Sequence, residues 1–265
     1  MRGQPKILHN TSDIELWPGG LLHARSNADA RVLARALTVL RRKRDGRYLA
    51  AVLPEGIQAL SPRWTHEPGV DAALDVLEGL RTDRGFDIDG AGELPLAHLH
   101  ERLHGLGLDE DYGEQAGLTL VAEPAALAYA GFDRYRRPLW LGAAAARAWR
   151  AMQRSAAASG IVLEAISGYR SHEYQLGIFE RKLARGLTLA QILSVNAAPG
   201  YSEHHSGRAL DIGTPGEPPA EESFERTAAF AWLTAHAAAF GFSMSYPRDN
   251  THGIVYEPWH WCHNL

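Results

Sequence analysis

One segment of the chain combines an imidazole and a carboxylate at a spacing that suits a metal site. His204 and Asp211 are seven residues apart, on either side of a small-residue turn at Ser206-Gly207. Asp211 stands in the run Ala209-Leu210-Asp211-Ile212, which has the pattern of a buried strand with one charged residue. A buried carboxylate without a partner is costly, so Asp211 needs a metal, a cation or strong hydrogen-bond donors. His204 is the natural second ligand for a metal.

A second segment, Glu257-Pro258-Trp259-His260, contains a carboxylate and an imidazole three residues apart. Two histidines and one carboxylate leave the fourth position of a tetrahedral zinc ion for water, which is typical of catalytic sites. We therefore predict that His204, Asp211 and His260 bind one Zn²⁺ per chain, with Glu257 as the general base. Residues three apart on a regular strand point to opposite faces. Pro258 is expected to break the strand, so that Glu257 and His260 can reach the same cavity.

Three motifs in chain order make the sequence similar to a known family. The pattern S-x-H-x-x-G-x-A-x-D is matched by Ser202, His204, Gly207, Ala209 and Asp211. The pattern E-P-W-H is matched without change by Glu257 to His260, and S-G-Y-R-S followed by a glutamine is matched by residues 167–171 and Gln175. From about residue 118 to its end, the chain resembles the zinc D-alanyl-D-alanine carboxypeptidases of the vancomycin-resistance type. Their wider group includes D-Ala-D-Ala dipeptidases, phage L-alanyl-D-glutamate endopeptidases and the Hedgehog signalling domain.

The resemblance implies roles for several of these residues. Zinc would polarise the scissile carbonyl, and Glu257 would pass a proton from water to the leaving amine. Arg170 would stabilise the developing oxyanion, with a salt bridge that anchors its loop as the alternative. Gln175 and Ser202 would bind the substrate backbone or its terminal carboxylate, with purely structural hydrogen bonds as the alternative.

Other residues beside the motifs have open interpretations. Tyr169 and Trp259 are assigned to substrate binding, with packing in the core or cleft wall as the alternative. His205 neighbours a predicted ligand, but the family pattern does not require it, so variants at this position serve as controls. Cys262 is the single cysteine, which excludes an intrachain disulfide, and we expect a buried, inert thiol, with a thiolate metal ligand as the alternative. Ser245-Tyr246-Pro247 departs from the Arg-Tyr-Pro of many relatives and leaves substrate specificity open.

The leading prediction is a peptidase that removes a terminal D-alanine from peptidoglycan stem peptides or their precursors. An L,D-carboxypeptidase, a D-Ala-D-Ala dipeptidase and an L-alanyl-D-glutamate endopeptidase are alternatives with the same site. A zinc-containing binding module without turnover is the alternative from another class. The net charge of -4 and the pI near 6.3 argue against a nucleic-acid partner. The one basic run, Arg41 to Arg44, is expected to be a solvated helix end.

The elements that position these residues are predicted from hydrophobic periodicity and turn signals. The class is α+β, with a small antiparallel sheet flanked by helices, as in Hedgehog and D-Ala-D-Ala peptidases, and a mainly helical N-terminal region. In that region a helix capped by Ser26 is expected to carry Leu33, Leu37 and Leu40 on one face, and similar patterns recur at residues 70–80 and 96–103. Further along, helices are predicted at 141–159, after Ser171 and at 224–240, and strands at 161–166, 242–246 and 253–256.

Two domains are expected: residues 1–117, an accessory region of unknown function, and residues 118–265, the catalytic domain. The N-terminal residues lead into no apolar segment of a signal peptide, and no stretch is long and apolar enough to span a membrane. The sequence as given therefore predicts a cytoplasmic protein. A periplasmic or cell-envelope location is the alternative if a leader is missing, and the sequence does not predict the oligomeric state.

Overall fold

The computed structural model describes residues 6–82, 86–96, 99–108 and 111–264. The chain divides into two compact units. One contains the residues up to Leu94 together with Pro124–Tyr129, and the other contains Pro95–Glu123 together with the residues from Ala130 onward. Residues 95–117 thus group with the C-terminal part of the chain. The boundary after residue 117 stays a prediction of where the accessory region ends.

The N-terminal unit is built on an antiparallel sheet. Its strands are β1 (Ile7–Asn10), β2 (Ile14–Pro18), β3 (Thr38–Arg42), β4 (Tyr48–Leu53), β5 (Gly56–Ala59) and the first residues of β6 (Ala126–Phe132). These strands are adjacent in the order β5-β4-β3-β2-β1-β6. The helices are α1 (Asn27–Leu33), α2 (Val70–Thr82) and a short 3-10 helix (Trp64–His66). Val70 and Ala73 of α2 pack against the buried side chains of Ile14, Leu16, Leu40 and Leu49.

The prediction of a mainly helical N-terminal region is wrong for residues 7–59, which contain five strands and one short helix. Ser26 does cap a helix, but α1 ends at Leu33, and Thr38 begins β3. Leu33 and Leu40 are buried in different elements, whereas Leu37 between them is 59% exposed. The helical spacing of the three leucines was therefore a coincidence, and the β-branched pair Thr38-Val39 was the better signal.

The basic run is also placed differently from the prediction, because it belongs to a hairpin. Arg41 and Arg42 close β3, and Gly46, with a φ of 68°, turns the chain towards β4. Arg42 is buried and pairs with Asp45 and Glu67, each at 2.5 Å. An Asp-Gly pair between two apolar runs is a hairpin signal, and here it outweighs the cations that favour a helix end.

The second unit contains most of the helices. They are α3 (Leu99–Gly105), α4 (Tyr112–Ala116), α5 (Ala143–Ala158), α6 (His172–Ala184), α7 (Leu189–Leu193) and α8 (Ala228–His236). Three 3-10 helices accompany them: Glu203–Ser206, Glu222–Arg226 and Ala237–Phe240. The predicted helices at 141–159 and after Ser171 are confirmed. The helix predicted at 224–240 is divided, because Thr227 caps α8 through its side chain.

The strands of this unit are the rest of β6, β7 (Pro138–Leu141), β8 (Glu164–Ser167), β9 (Ala209–Gly213), β10 (Phe242–Met244) and β11 (His260–His263). The last four form an antiparallel sheet in the order β10-β11-β9-β8. The α+β class with a small antiparallel sheet among helices is confirmed. The strand predicted at 253–256 is wrong: that segment is a loop, and the closing strand lies further on, where it begins with His260.

Within the second unit, β9 is buried along its whole length. A separate core cluster joins α3 to the loops that carry Ala197, Tyr201, Tyr246 and Ile254. In the described parts of the chain, the helices are too short or too polar to cross a membrane.

Candidate metal and catalytic site

The register of two neighbouring strands brings two of the three predicted ligands together. Asp211 on β9 and His260 on β11 are paired across the antiparallel ladder. The Nδ1 atom of His260 lies 3.2 Å from Oδ1 of Asp211. Both residues are buried, with 3% of His260 and 8% of Asp211 exposed. The sheet backbone therefore fixes the distance between an imidazole and a carboxylate that are far apart in the sequence.

The 3-10 helix Glu203–Ser206 supplies the third predicted ligand, His204. Gly207, with a φ of 68°, ends this helix and directs the chain into β9. His204 donates from Nδ1 to the carbonyl oxygen of Gly168 at 2.8 Å. Its Nε2 atom consequently faces Asp211, 3.4 Å from Oδ2.

The ligand atoms of His204, Asp211 and His260 all lie within 4.8 Å of one another. Among the described residues, these three form the only group of three or more histidine, cysteine, aspartate or glutamate side chains that meets this criterion. Cys262 is buried but does not belong to the group. Burial raises the pKa of its thiol to about 12, which agrees with an inert side chain.

The electrostatics of this group favour a bound cation. Burial alone would raise the pKa of Asp211, but the charges and hydrogen bonds of His204 and His260 outweigh it and hold that pKa below its usual range. Burial lowers the pKa of His204. Burial also opposes a charge on His260, yet hydrogen bonds to Asp211 and Glu203 raise its pKa to about 10. Asp211 and Glu203 thus favour a positive charge at this position, and a divalent metal would supply such a charge when bound.

Glu257 reaches the same cavity because the E-P-W-H segment is a turn. The amide of His260 donates to the carbonyl oxygen of Glu257 at 3.1 Å, which closes the turn around Pro258 and Trp259. A carboxylate oxygen of Glu257 lies 3.8 Å from Nδ1 of His260. Burial is the main reason that the pKa of Glu257 is raised to about 7. A carboxyl group with a pKa near neutrality is suited to both accepting and returning a proton.

Glu203 is a site residue that the motifs did not reveal. It accepts a hydrogen bond from Nε2 of His260 at 2.8 Å and a second from the hydroxyl of Ser245 at 2.6 Å. Burial opposes ionisation of Glu203, but the hydrogen bond and charge of His260 lower its pKa to about 2. The only sequence signal was its position next to His204, which does not indicate that it contacts a different ligand, 57 residues away.

Arg170 lies at the edge of the ligand group, with Nη2 4.0 Å from Oδ2 of Asp211. It donates from Nη1 to Oε1 of Gln175 at 2.9 Å, and Gln175 in turn donates to the carbonyl oxygen of Ala197. Gln175 is 1% exposed, so its hydrogen bonds hold the guanidinium in place from within the fold. The side chain of Gln175 therefore has a structural role, whatever else it contacts.

His205 points away from the metal ligands. It donates from Nδ1 to the carbonyl oxygen of Arg170 at 2.6 Å, and its Nε2 accepts from the amide of Gly200 at 3.0 Å. The amide of Arg170 donates to the carbonyl oxygen of His204 at 3.2 Å. Backbone and side-chain bonds thus join the His204-His205 pair to the loop that carries Arg170.

A cavity of about 340 Å³ connects most of the predicted site residues. The predicted residues that line it are Arg170, Gln175, Ser202, His204, Asp211, Glu257, Trp259 and His260. Tyr169 is not among its lining residues, and its hydroxyl donates to Glu123, which also accepts from the amide of His172. This geometry agrees with the packing alternative for Tyr169.

The chain is similar in sequence to several known proteins. The family model of VanY, D-alanyl-D-alanine carboxypeptidase, matches residues 139–264. The putative carboxypeptidase YodJ of Bacillus subtilis (strain 168) is 36% identical over 120 residues, which are 44% of this chain and 43% of the relative. The D-alanyl-D-alanine carboxypeptidase of Enterococcus faecalis (strain ATCC 700802 / V583) is 36% identical over 117 residues, 40% of this chain and 42% of the relative.

A further relative is matched over more of its own length. The bifunctional D-Ala-D-Ala dipeptidase and D-Ala-D-Ala carboxypeptidase VanXYC of Enterococcus gallinarum is 30% identical over 145 residues, which are 52% of this chain and 73% of that protein. The chain thus spans less than half the length of YodJ and of the Enterococcus faecalis enzyme. The matched residues 139–264 include all three metal-ligand candidates, Glu257 and Arg170.

Proposed function

Because the chain belongs to the VanY-type D-alanyl-D-alanine carboxypeptidase family, we propose that it is a zinc peptidase that removes the terminal D-alanine from peptidoglycan stem peptides or their precursors. The observation that carries this proposal is the convergence of His204, Asp211 and His260 beside a buried carboxyl group with a raised pKa. Two histidines and one carboxylate are a ligand set for zinc with an open position.

The residues present fit zinc by their donor atoms as well as by their types. Nδ1 of His204 and Nε2 of His260 are both engaged by other groups, which leaves Nε2 of His204 and Nδ1 of His260 turned towards Asp211. These two nitrogens and one oxygen of Asp211 would hold the ion. When bound, zinc supplies Lewis-acid polarisation of the scissile carbonyl and of the attacking water.

Glu257 is the proposed general base. It would accept a proton from the attacking water and deliver it to the amine of the departing D-alanine. Its burial keeps it from ionising as readily as an exposed glutamate, so that it can return the proton it has accepted. Its distance of 3.8 Å from His260 places it beside the ligand group.

Arg170 is proposed to stabilise negative charge on the carbonyl oxygen during the attack. A guanidinium keeps its charge at any working pH and presents several donors in a fixed plane. The contacts with Gln175 and Asp211 position Arg170 before substrate arrives, which is what such stabilisation requires.

Glu203 is proposed to orient His260. A metal-bound histidine usually donates its other ring N–H to a carboxylate or carbonyl, which fixes the ring and raises its basicity as a ligand. Glu203 provides that contact at 2.8 Å, and Ser245 holds Glu203 from the other side.

The proposed activity is tested by incubating the purified chain with defined pentapeptide, tetrapeptide and D-Ala-D-Ala substrates, with and without a chelator. Release of one D-alanine from the pentapeptide, stopped by the chelator and restored by zinc, is the expected result. Cleavage of the tetrapeptide alone would reassign the chain as an L,D-carboxypeptidase, and cleavage of the free dipeptide alone as a dipeptidase. Zinc binding with no cleavage of any peptide would contradict the enzyme proposal and favour a binding module.

A further inference from the structure

The cavity is lined by one arginine, Arg170, and one lysine, Lys182, and Lys182 has no role in the zinc chemistry. Arg170 is occupied by Gln175 at 2.9 Å and lies 4.0 Å from Asp211. Lys182 differs from it: in the described part of the chain, no carboxylate lies within ion-pair distance of its amino group. A cation that lines a cavity without such a partner is available to a ligand.

The geometry of α6 explains why Lys182 belongs to the cavity. Gln175 and Lys182 are seven residues apart, about two helical turns, and therefore lie on the same face of the helix. Side chains on a helix lean towards its N-terminus, so the long side chain of Lys182 extends back towards Gln175 and Arg170. The neighbouring basic residues Arg181 and Arg185 are exposed and do not line the cavity.

The positive charges of Arg170 and Lys182 repel each other in the cavity. Burial lowers the pKa of Lys182, and the positive charge of Arg170 lowers it further. An anionic group placed between them would remove that repulsion. The hydroxyl of Ser202 also lines the cavity, and it makes no capping bond to the helix that follows it. The amino group of Lys182 and the hydroxyl of Ser202 are suited to binding a carboxylate.

We propose that Lys182 binds the terminal carboxylate of the substrate and so restricts the site to peptides with a free C-terminus. This inference rests on the proposed peptidase function. In a carboxypeptidase substrate, only the amide nitrogen and one Cα separate the scissile carbonyl from the terminal carboxylate. Lys182 lines the same cavity as Arg170, which itself lies at the metal-ligand group, and is therefore placed to meet a carboxylate that is this close to the scissile bond. A peptide amide, or the interior of a longer chain, offers no negative charge at that point.

The test uses zinc-loaded protein and two N-acylated peptides that end in D-Ala-D-Ala, one as the free acid and the other as the C-terminal amide. The variants are Lys182→Met, which keeps the length of the side chain without its charge, Lys182→Arg, and Arg181→Met as a matched control on the same helix. The wild type is expected to prefer the acid. Lys182→Met should lower kcat/KM for the acid roughly 10- to 100-fold, mainly through KM, and leave the amide unaffected, as expected on losing a charge-assisted contact. Lys182→Arg should retain most of the preference, and Arg181→Met all of it.

Equal cleavage of acid and amide by the wild type would overturn the role of Lys182 while the peptidase function stood. An equal loss on both peptides in Lys182→Met would also overturn it, because a structural role moves both. If the wild type cleaves neither peptide, the peptidase function fails, and calorimetric binding of the two peptides to the zinc-loaded chain decides the subsite separately. Acid-selective binding that Lys182→Met removes would support the subsite, and binding without that selectivity would overturn it.

Discussion

Asp211 and His260 lie opposite each other on adjacent antiparallel strands, and Nδ1 of His260 is 3.2 Å from Oδ1 of Asp211. Directly paired residues in a sheet hold their side chains at a fixed separation. Two of the three proposed ligands are thus set by backbone hydrogen bonds, and only His204 comes from a separate short helix. We therefore expect the metal site to be largely formed before metal binds.

Replacing the proposed base should separate chemistry from metal binding. Glu257→Ala is expected to keep close to one zinc per chain and to lose hydrolysis by roughly 10²- to 10⁴-fold, the usual contribution of a positioned base. Metal analysis and kcat/KM on the same preparation check both points. The exposed Glu221 provides the matched control, because Glu221→Ala removes a carboxylate outside the cavity. Full activity in Glu257→Ala would show that another group takes the proton.

Glu203→Gln should weaken zinc binding without preventing folding. The amide preserves the shape of Glu203 but removes the charge that accepts from Nε2 of His260. Loss of such an outer partner costs about 10- to 100-fold in metal affinity. Competition against a chelator of known affinity measures the change, and Ser245→Ala should give a smaller loss in the same direction. An unchanged zinc affinity in Glu203→Gln would contradict the proposed role.

His204 and His205 should behave differently despite their adjacency. His204→Ala removes a proposed ligand and is expected to lose zinc. His205→Ala leaves the carbonyl oxygen of Arg170 and the amide of Gly200 without their buried partner. We expect it to retain zinc while the free energy of unfolding falls by about 1–3 kcal/mol. Chemical denaturation and metal analysis distinguish the two, and loss of zinc from His205→Ala as severe as that from His204→Ala would count against the assignment.

Gly168→Ala tests the hydrogen bond between His204 and the carbonyl oxygen of Gly168. A Cβ atom at this position would lie 2.6 Å from a methyl group of Leu139 and 3.0 Å from the carbonyl oxygen of Trp140. Overpacking of this kind costs about 1–3 kcal/mol. The shift should also displace the carbonyl oxygen that accepts from His204, so zinc affinity should fall together with stability. The exposed Gly186 is the control: it has a φ of 86° and open space around an added methyl group, so Gly186→Ala reports backbone strain alone.

The chemistry of the site could be predicted from the sequence because its residues fall in short motifs. The fold brings His204, Asp211 and His260 together with Glu257 beside them, and the other predicted residues except Tyr169 line the same cavity. Asp211 was recognisable as one charge within a buried strand, and β9 is buried throughout. Contacts between motifs were not predictable in the same way. Glu203 contacts His260 only because β11 returns beside the 3-10 helix, and no local pattern encodes that return.

The fold of the N-terminal unit was harder to predict than that of the second unit. Leucines at helical spacing there belong to a helix and a strand, since α1 ends at Leu33 and β3 begins at Thr38. Burial in the sheet made residues 38–42 a strand, and such burial depends on partner strands elsewhere in the chain. In the second unit, long amphipathic segments such as α5 were predicted well, because their periodicity extends over several turns.

Stepwise addition of zinc to metal-free protein, with D-alanine release from a peptide ending in D-Ala-D-Ala as the readout, tests the central claim most directly. We predict that activity rises in proportion to added zinc, reaches its plateau at one equivalent per chain, and does not appear in His260→Ala. Activity in the metal-free protein, or none after one equivalent of zinc has bound, would contradict a mononuclear zinc peptidase built on His204, Asp211 and His260.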